Sequence, residues 1–194
     1  MATNKKRLII LDCDSKKVGA IHQILNGSST HAAIVAMDDA DAVHWEKVDG
    51  LVISGGPHLF TDKEKGHALR DKFVFLEALR LPVLGICLGH QAIGLRHGAT
   101  VFRGPENREP VPVQIQKDHP IFEGISSGTL FGEDHCEGVT LPAGFDCLAS
   151  SDDYPLEAMA SKTSPYIGVQ FHPEISEAPG RRLLANFITL IGKP

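Results

Sequence analysis

PVLGICLGHQ, residues 82–91, is the stretch of this chain that decides its fold. Val83–Ile86 is short and continuously apolar, as in a strand buried on both faces of a parallel sheet. Residues 88–97 have the character of a helix that ends at Gly98. Because the strand turns directly into the helix, the stretch predicts a unit of a parallel α/β sheet.

The same alternation extends toward the N-terminus. Three more apolar runs predict strands, at residues 8–11, 34–36 and 51–53. Helical spacing over residues 18–25 predicts a helix that stops at Asn26 and Gly27. After residue 57 a longer helix is predicted, because Leu69, Phe73 and Leu76 share one face.

The C-terminal half has a different pattern. Val111, Val113 and Ile115 alternate with polar residues, which is typical of a half-exposed antiparallel strand. Further β-like segments lie at residues 129–131, 145–149, 156–160 and 167–171, and a closing helix is predicted over 181–191. No linker interrupts the pattern, so we predict one domain over residues 1–194, with a mostly parallel sheet, helices on both faces and a small antiparallel extension.

Composition excludes several classes of protein. Lys and Arg total 19 against 24 Asp and Glu, which argues against nucleic-acid binding. No apolar run approaches the roughly 20 residues of a membrane span, and the run at 8–11 is too short for a signal peptide. We therefore expect no membrane association and a cytoplasmic location. The four cysteines lack CxxC spacing, so neither a metal site nor a disulfide is expected.

A candidate nucleophile lies at the turn from strand to helix. Gly85 and Gly89 stand two residues on either side of Cys87, which lets the chain turn sharply and lifts the thiol above the sheet. The N-terminus of the following helix favours a thiolate, and the N–H of Leu88 could donate to an oxyanion. The alternative is that Cys87 is a small buried core residue, as most free cysteines are.

A second loop lies at the end of the preceding strand. The carboxyl ends of neighbouring parallel strands share one crevice, so the loop Ser54-Gly55-Gly56-Pro57 is expected beside Cys87. Its unobstructed N–H groups offer a second oxyanion donor. An ordinary Gly-Gly-Pro turn is the alternative.

A thiol nucleophile needs a base, and one of the ten histidines stands out. His172 follows a buried strand, and Glu174 lies two residues later across Pro173. Glu174 could hold one imidazole nitrogen while the other faces the thiol. A histidine at a strand end with a chance acidic neighbour remains the alternative.

Three blocks of sequence together resemble the signatures of class I glutamine amidotransferases. They are SGGP at residues 54–57, GICLGHQ at 85–91 and GVQFHPE at 168–174. The resemblance covers essentially the whole chain and implies a flavodoxin-like α/β fold. It implies a catalytic triad of Cys87, His172 and Glu174 that hydrolyses L-glutamine through a γ-glutamyl thioester. By position, the remaining site residues would be Gly55, Gly56, Leu88 and Gln91, the first three at the oxyanion and the last at the bound glutamine.

The segments 97–106 and 118–122 look most like the separate glutaminase subunit of two-subunit GMP synthetases. That resemblance implies a partner synthetase subunit that carries ATP and Mg²⁺, with no cofactor in this chain. Residues 134–139 stand where that group has S-H-x-D-x-V, a segment that helps bind glutamine. His135 matches this pattern, whereas Asp134 and Glu137 depart from it and their roles stay open.

Two other functions remain open at this point. A stand-alone γ-glutamyl hydrolase would use the same triad, and a non-catalytic amidotransferase-like regulatory protein would keep the fold alone. The chain has no GxxxxGK[ST] loop for ATP, so amination chemistry is expected on another chain.

Overall fold

The computed structural model describes residues 5–192. In that range the strands are β1 (Lys6–Asp12), β2 (Thr30–Ala36), β3 (Gly50–Ile53), β4 (Val83–Ile86), β5 (Val101–Asn107), β6 (Val111–Ile115), β7 (Thr129–Phe131), β8 (His135–Val139), β9 (Phe145–Ser150), β10 (Ala158–Ser161) and β11 (Tyr166–Val169). The α-helices are α1 (Val18–Leu25), α2 (Gly66–Asp71), α3 (Leu88–Arg96) and α4 (Glu177–Leu190).

Nine of these strands form one mixed sheet in the order β2-β1-β3-β4-β11-β10-β9-β6-β7. The first five are parallel to one another, and the pairs from β11 to β7 are antiparallel. Strands β5 and β8 form a separate antiparallel pair. β4 lies between β3 and β11, so the carboxyl ends of these three strands meet at one edge.

Alternate residues of the parallel strands pack on opposite faces of the sheet. On one face Ile10, Val52 and Leu84 pack with α1 and α4. On the other, residues such as Ile53 and Val83 pack with α2 and α3. Each face therefore has its own apolar core, which explains why these strands read as continuous apolar runs.

The predicted fold class is confirmed: the sheet is mostly parallel and flavodoxin-like, and a small antiparallel sheet is present. The helix predicted after residue 57 is wrong in its length, because α2 ends at Asp71 and a separate 3-10 turn covers Val74–Glu77. Leu69, Phe73 and Leu76 are all buried nevertheless. Phe73 and Leu76 still share one face, because residues three apart lie on the same side of a 3-10 turn as well as of an α-helix.

The pair β5–β8 was not predicted from the sequence. β5 contains Gly104 and Pro105, and β8 contains Gly138, residues that are depleted in strands. Gly138 is required here, since a Cβ at this position would lie 2.7 Å from the ring of Tyr154. β10 begins at Ala158, later than predicted.

The closing helix begins at Glu177, earlier than the predicted residue 181. Pro179 and Gly180 look like helix breakers, but they lie in the first turn, where the N–H that proline lacks has no helical partner. A Cβ on Gly180 would lie 1.8 Å from the carbonyl oxygen of Pro173, so this helix start needs glycine. Among the described residues, no helix is both long enough and apolar enough to cross a bilayer.

Candidate active site

Cys87 occupies a strained turn between β4 and α3. Its φ is +52°, a backbone region that non-glycine residues rarely adopt. Both flanking glycines are demanded by close packing: a Cβ on Gly85 would lie 2.4 Å from the carbonyl oxygen of Gly89, and one on Gly89 would lie 2.6 Å from that of Ile53. The turn holds the thiol at the carboxyl edge of the sheet, as the sequence predicted.

The segment after β11 brings His172 to the same edge. The N–H of Cys87 donates to the carbonyl of Val169 at 2.9 Å, which ties the turn to the end of β11. The N–H of His172 donates to the carbonyl of Gly132 at 2.8 Å. The Ser176 hydroxyl donates to the carbonyl of His172 at 2.6 Å. These bonds hold the histidine backbone on both sides.

His172 and Glu174 form a buried pair. Nδ1 of His172 lies 2.7 Å from Oε1 of Glu174, and the two residues are 3% and 7% exposed. Nε2 makes no regular hydrogen bond within residues 5–192, and it is the ring nitrogen left to face Cys87. Burial alone lowers the pKa of His172, but the Cys87 and Glu174 side chains outweigh it and raise the pKa to about 10. The folded protein therefore favours the protonated, imidazolium form of His172.

The Gly-Gly loop packs directly against this pair. A Cβ on Gly55 would lie 2.8 Å from Cε1 of His172 and 3.3 Å from Cβ of Cys87. A Cβ on Gly56 would lie 2.1 Å from the carbonyl oxygen of Cys13. Neither position can carry a side chain, and at Gly55 the backbone lies beside His172 and Cys87, where an oxyanion donor would be needed.

A cavity of about 340 Å³ opens above Cys87. Gly56, Leu88, Gln91 and His172 all line it. Gln91 is buried, and its Nε2 donates to the carbonyl of Glu137 at 3.0 Å and to Oε1 of Gln170 at 3.2 Å. Both amide hydrogens are thus used within the protein, so a ligand can only meet the oxygen of Gln91.

His135 forms part of the cavity wall, but its ring nitrogens point into the protein. Nδ1 lies 2.9 Å from the carbonyl oxygen of Glu137, and Nε2 lies 2.8 Å from Oε2 of Glu133. A contact between His135 and a bound ligand would therefore use a ring carbon. Its predicted place in the site stays a prediction, restricted by this geometry to packing.

Glu137 holds the loop that forms the opposite wall. Its buried carboxylate accepts hydrogen bonds from the N–H groups of Phe60 and Thr61 at 3.0 and 2.8 Å, and also from the Thr61 hydroxyl. Pro57, His58 and Leu59 in the same loop line the cavity. The role that the sequence left open for Glu137 is, in the structure, a clamp on this loop.

Asp134 joins two basic residues at the mouth of the cavity. Its carboxylate forms ion pairs with Lys17 and Arg108, and all three residues line the opening. Sequence reasoning missed Lys17 and Arg108 because the three positions are far apart in the chain. The mouth of the cavity is therefore lined by charged side chains, whereas Cys87 at its floor is buried.

A thiol on a strained strand-to-helix turn, with a buried imidazole and carboxylate after the neighbouring parallel strand, defines a flavodoxin-like domain of the amidotransferase class. The comparisons with known proteins agree with this class. Residues 9–190 match the family described as glutamine amidotransferase class-I. The chain belongs to the class I glutamine amidotransferase family, and the resemblance found in the sequence is confirmed.

Several relatives align with nearly the full chain. The chain is 35% identical to a glutamine-hydrolyzing GMP synthase subunit of Methanocaldococcus jannaschii over 192 residues, 95% of this chain and 97% of that protein. It is 33% identical to the glutamine-hydrolyzing GMP synthase of Kluyveromyces lactis over 96% of this chain but only 35% of that longer protein. A crystal structure of a GMP synthase subunit protein of Thermoplasma acidophilum, described as putative, superposes with a TM-score of 0.87 at 26% identity. That superposition covers 97% of this chain and 94% of the other.

Proposed function

We propose that this chain hydrolyses L-glutamine to glutamate and ammonia and supplies the ammonia to a synthetase subunit of the GMP synthetase type, which converts XMP to GMP. The observation that carries the proposal is the alignment of Cys87, His172 and Glu174 beside a cavity of about 340 Å³ in a member of this family. Relatives of nearly the same length that are named as glutamine-hydrolysing subunits support the choice of partner.

In the proposed reaction the sulfur of Cys87 attacks the side-chain carboxamide carbon of glutamine, forming the C–S bond. His172 gives a proton from Nε2 to the departing nitrogen, and ammonia leaves as the C–N bond breaks. The product is a γ-glutamyl thioester on Cys87. His172 then takes a proton from water, which attacks the thioester and releases glutamate and the thiol.

Glu174 acts in this scheme by holding Nδ1 of His172, which directs Nε2 to the thiol and stabilises the imidazolium. The backbone N–H groups of Gly56 and Leu88 would bind the oxyanion of each tetrahedral intermediate. Gly55 lets that loop approach, since its hydrogen faces the imidazole. The oxygen of Gln91 would accept a hydrogen bond from bound glutamine, since its amide hydrogens are already used within the protein.

We further propose that the amination step takes place on the partner subunit, which would bind ATP and Mg²⁺, and that glutamine hydrolysis needs no cofactor in this chain. The longer relative of Kluyveromyces lactis supports this arrangement, because this chain corresponds to only 35% of it. A cytoplasmic location, where nucleotide synthesis would take place, is part of the same proposal.

The test measures ammonia release from L-glutamine by the wild type and by Cys87→Ala, alone and with a GMP-synthetase-type ATP pyrophosphatase subunit, Mg²⁺-ATP and XMP. We expect weak release by the wild type alone, a clear rise with the partner, and none from Cys87→Ala under either condition. Circular dichroism of Cys87→Ala shows whether its fold is kept.

Three outcomes would count against the proposal. Full ammonia release by Cys87→Ala would show that Cys87 is not the nucleophile. Faster turnover of γ-glutamyl amines than of glutamine would indicate a stand-alone γ-glutamyl hydrolase. No turnover of either substrate, even with the partner, would indicate a non-catalytic relative.

A further inference from the structure

Behind the cavity wall lies a cluster of three buried side chains that the proposed reaction does not use. Glu133, His135 and Glu157 are 2%, 7% and 0% exposed. One ligand atom from each lies within 4.8 Å of the others. Glu133 lies between β7 and β8, His135 begins β8, and Glu157 lies in the loop before β10, so the tertiary fold brings Glu157 to the other two.

The polar atoms of this cluster lack partners. Both carboxylate oxygens of Glu133, Oε2 of Glu157 and Nε2 of His135 make no regular hydrogen bond within residues 5–192. Nε2 of His135 and Oε2 of Glu133 are 2.8 Å apart, but the N–H direction does not suit a hydrogen bond. Two tetrahedral ligands about 2.1 Å from one Zn²⁺ ion would be about 3.4 Å apart, so these two atoms would move apart by about half an ångström to share an ion.

A divalent cation would balance the charge of the cluster when both carboxyls are ionised. No lysine or arginine of the described residues forms an ion pair with Glu133 or Glu157. Burial, and for Glu157 the neighbouring Glu133 as well, raises the pKa of each carboxyl group to about 8, so each holds its proton at neutral pH unless a cation replaces it. Two buried carboxylates and a neutral imidazole are neutralised by one divalent ion, which removes the cost of burying the charges.

The hydrogen bonds around the cluster orient its ligand atoms. Nδ1 of His135 faces the carbonyl oxygen of Glu137, which can only accept, so Nδ1 carries the hydrogen and Nε2 presents a lone pair to the cluster. Metal-binding histidines commonly donate their other nitrogen to a carbonyl in this way. Oε1 of Glu157 accepts a hydrogen bond from the Ser151 hydroxyl at 2.7 Å, which leaves Oε2 for the cluster.

We propose that Glu133, His135 and Glu157 form a structural site for a divalent transition-metal ion, with Zn²⁺ the ion that best suits one imidazole and two carboxylates. The sequence predicted no metal site because its cysteines lack metal-binding spacing, but this ligand set contains no cysteine. The two flanking backbones contact the segment that carries His172: Gly132 accepts from the N–H of His172, and Glu157 accepts from the N–H of Gln170 at 2.7 Å. A bound ion would therefore stabilise the position of the segment that carries His172.

The test uses the full chain carrying Cys87→Ser, so that the thiol facing His172 cannot bind metal. The protein is freed of metal with a chelator and titrated with Zn²⁺ in equilibrium dialysis, and bound zinc is measured by mass spectrometry. We expect one equivalent of Zn²⁺ and a rise in Tm of about 5–10 °C at a Zn²⁺ concentration of about 100 Kd. Co²⁺ in the same site should give weak visible bands without thiolate charge transfer.

Glu133→Gln and Glu157→Gln, each in the same background, should weaken Zn²⁺ binding at least tenfold. The matched control is Glu137→Gln, a buried glutamate in the same strand as His135 that bonds backbone N–H groups and should leave Zn²⁺ affinity unchanged. The glutamines keep the side-chain volume, and circular dichroism checks the fold of each variant. If a variant does not fold, the Co²⁺ spectrum of the parent decides.

Failure of the parent protein to take up any metal would overturn the proposal and leave two protonated carboxyls that need no ion. Zinc binding that survives both Glu→Gln changes, or a Co²⁺ spectrum with thiolate charge transfer, would place the ion elsewhere and overturn it equally. None of these readouts depends on glutaminase activity, so they stand or fall separately from the proposed function.

Discussion

The pairing of His172 with Glu174 sets the protonation state of the proposed base. A histidine in an apolar site loses its proton easily, and burial acts in that direction here. The 2.7 Å contact with Glu174 and the adjacent thiol reverse the effect. Because the raised pKa belongs to the folded protein, the imidazolium is kept throughout neutral pH and lost only as the pH rises toward about 10.

Glutamine hydrolysis should therefore keep its rate through neutral pH and fall on the alkaline side as His172 loses its proton. In Glu174→Gln the alkaline fall of kcat/KM should move to lower pH, because the amide no longer stabilises the imidazolium. The rate loss should be smaller than the several orders of magnitude expected for His172→Ala, since the base remains. The pH profiles of the three proteins check this, and an unmoved alkaline limb in Glu174→Gln would contradict it.

At the scale of the element, the turn from β4 to α3 depends on two glycines rather than on the cysteine between them. The carbonyl of Ile53 from the neighbouring strand approaches Gly89 so closely that no Cβ fits. Strand, turn and helix therefore share a contact that only glycine allows. The strain at Cys87 is tolerated because its neighbours hold the backbone in place.

Gly89→Ala should lower the free energy of unfolding by about 1–3 kcal/mol, because the new methyl group forces the helix away from β3. It should also reduce glutamine hydrolysis, since the same shift moves Cys87. Gly19→Ala in α1 is the matched control: its Cβ would meet nothing within 4 Å, and it should be neutral or stabilising by about 0.5–1 kcal/mol. Urea unfolding of both variants measures the difference, and equal stabilities would show that the turn adapts.

At the scale of the molecule, α4 joins the parallel part of the sheet to the antiparallel extension. Leu184 and Phe187 pack in the core that contains α1. From the same helix, buried Asn186 donates through Nδ2 to the carbonyls of Ile121 and Glu123, at 3.0 and 2.9 Å. These two bonds satisfy carbonyls in the turn that leads to β7.

Asn186→Ala should cost about 2–3 kcal/mol, because both carbonyls lose their donor in a largely buried place. For a chain of this size the loss corresponds to a Tm lowered by roughly 4–12 °C, measurable by calorimetry. Arg181→Ala, at an exposed position of the same helix, should stay within about 0.5 kcal/mol. A neutral result for Asn186→Ala would mean that water replaces the amide.

Features that depend on neighbours in the sequence could be predicted from it. The elbow at Cys87 and the His172–Glu174 pair rest on a few consecutive residues, because glycine geometry and the fixed backbone of Pro173 act locally. The apolar strands were predictable since burial on both faces leaves a continuous run. The β5–β8 pair was not, because packing against Tyr154 overrides the strand preferences of its glycines.

The sequence by itself determined the parallel α/β class, the thiol at its elbow and the family. Only the tertiary structure decided which distant residues meet: Asp134 with Lys17 and Arg108, Glu137 with the loop at Thr61, and Glu133 with His135 and Glu157. The reason is physical. A strand or turn is encoded by contacts within a few residues, whereas these pairs form across many residues of chain, after packing has fixed both partners and without any periodic pattern.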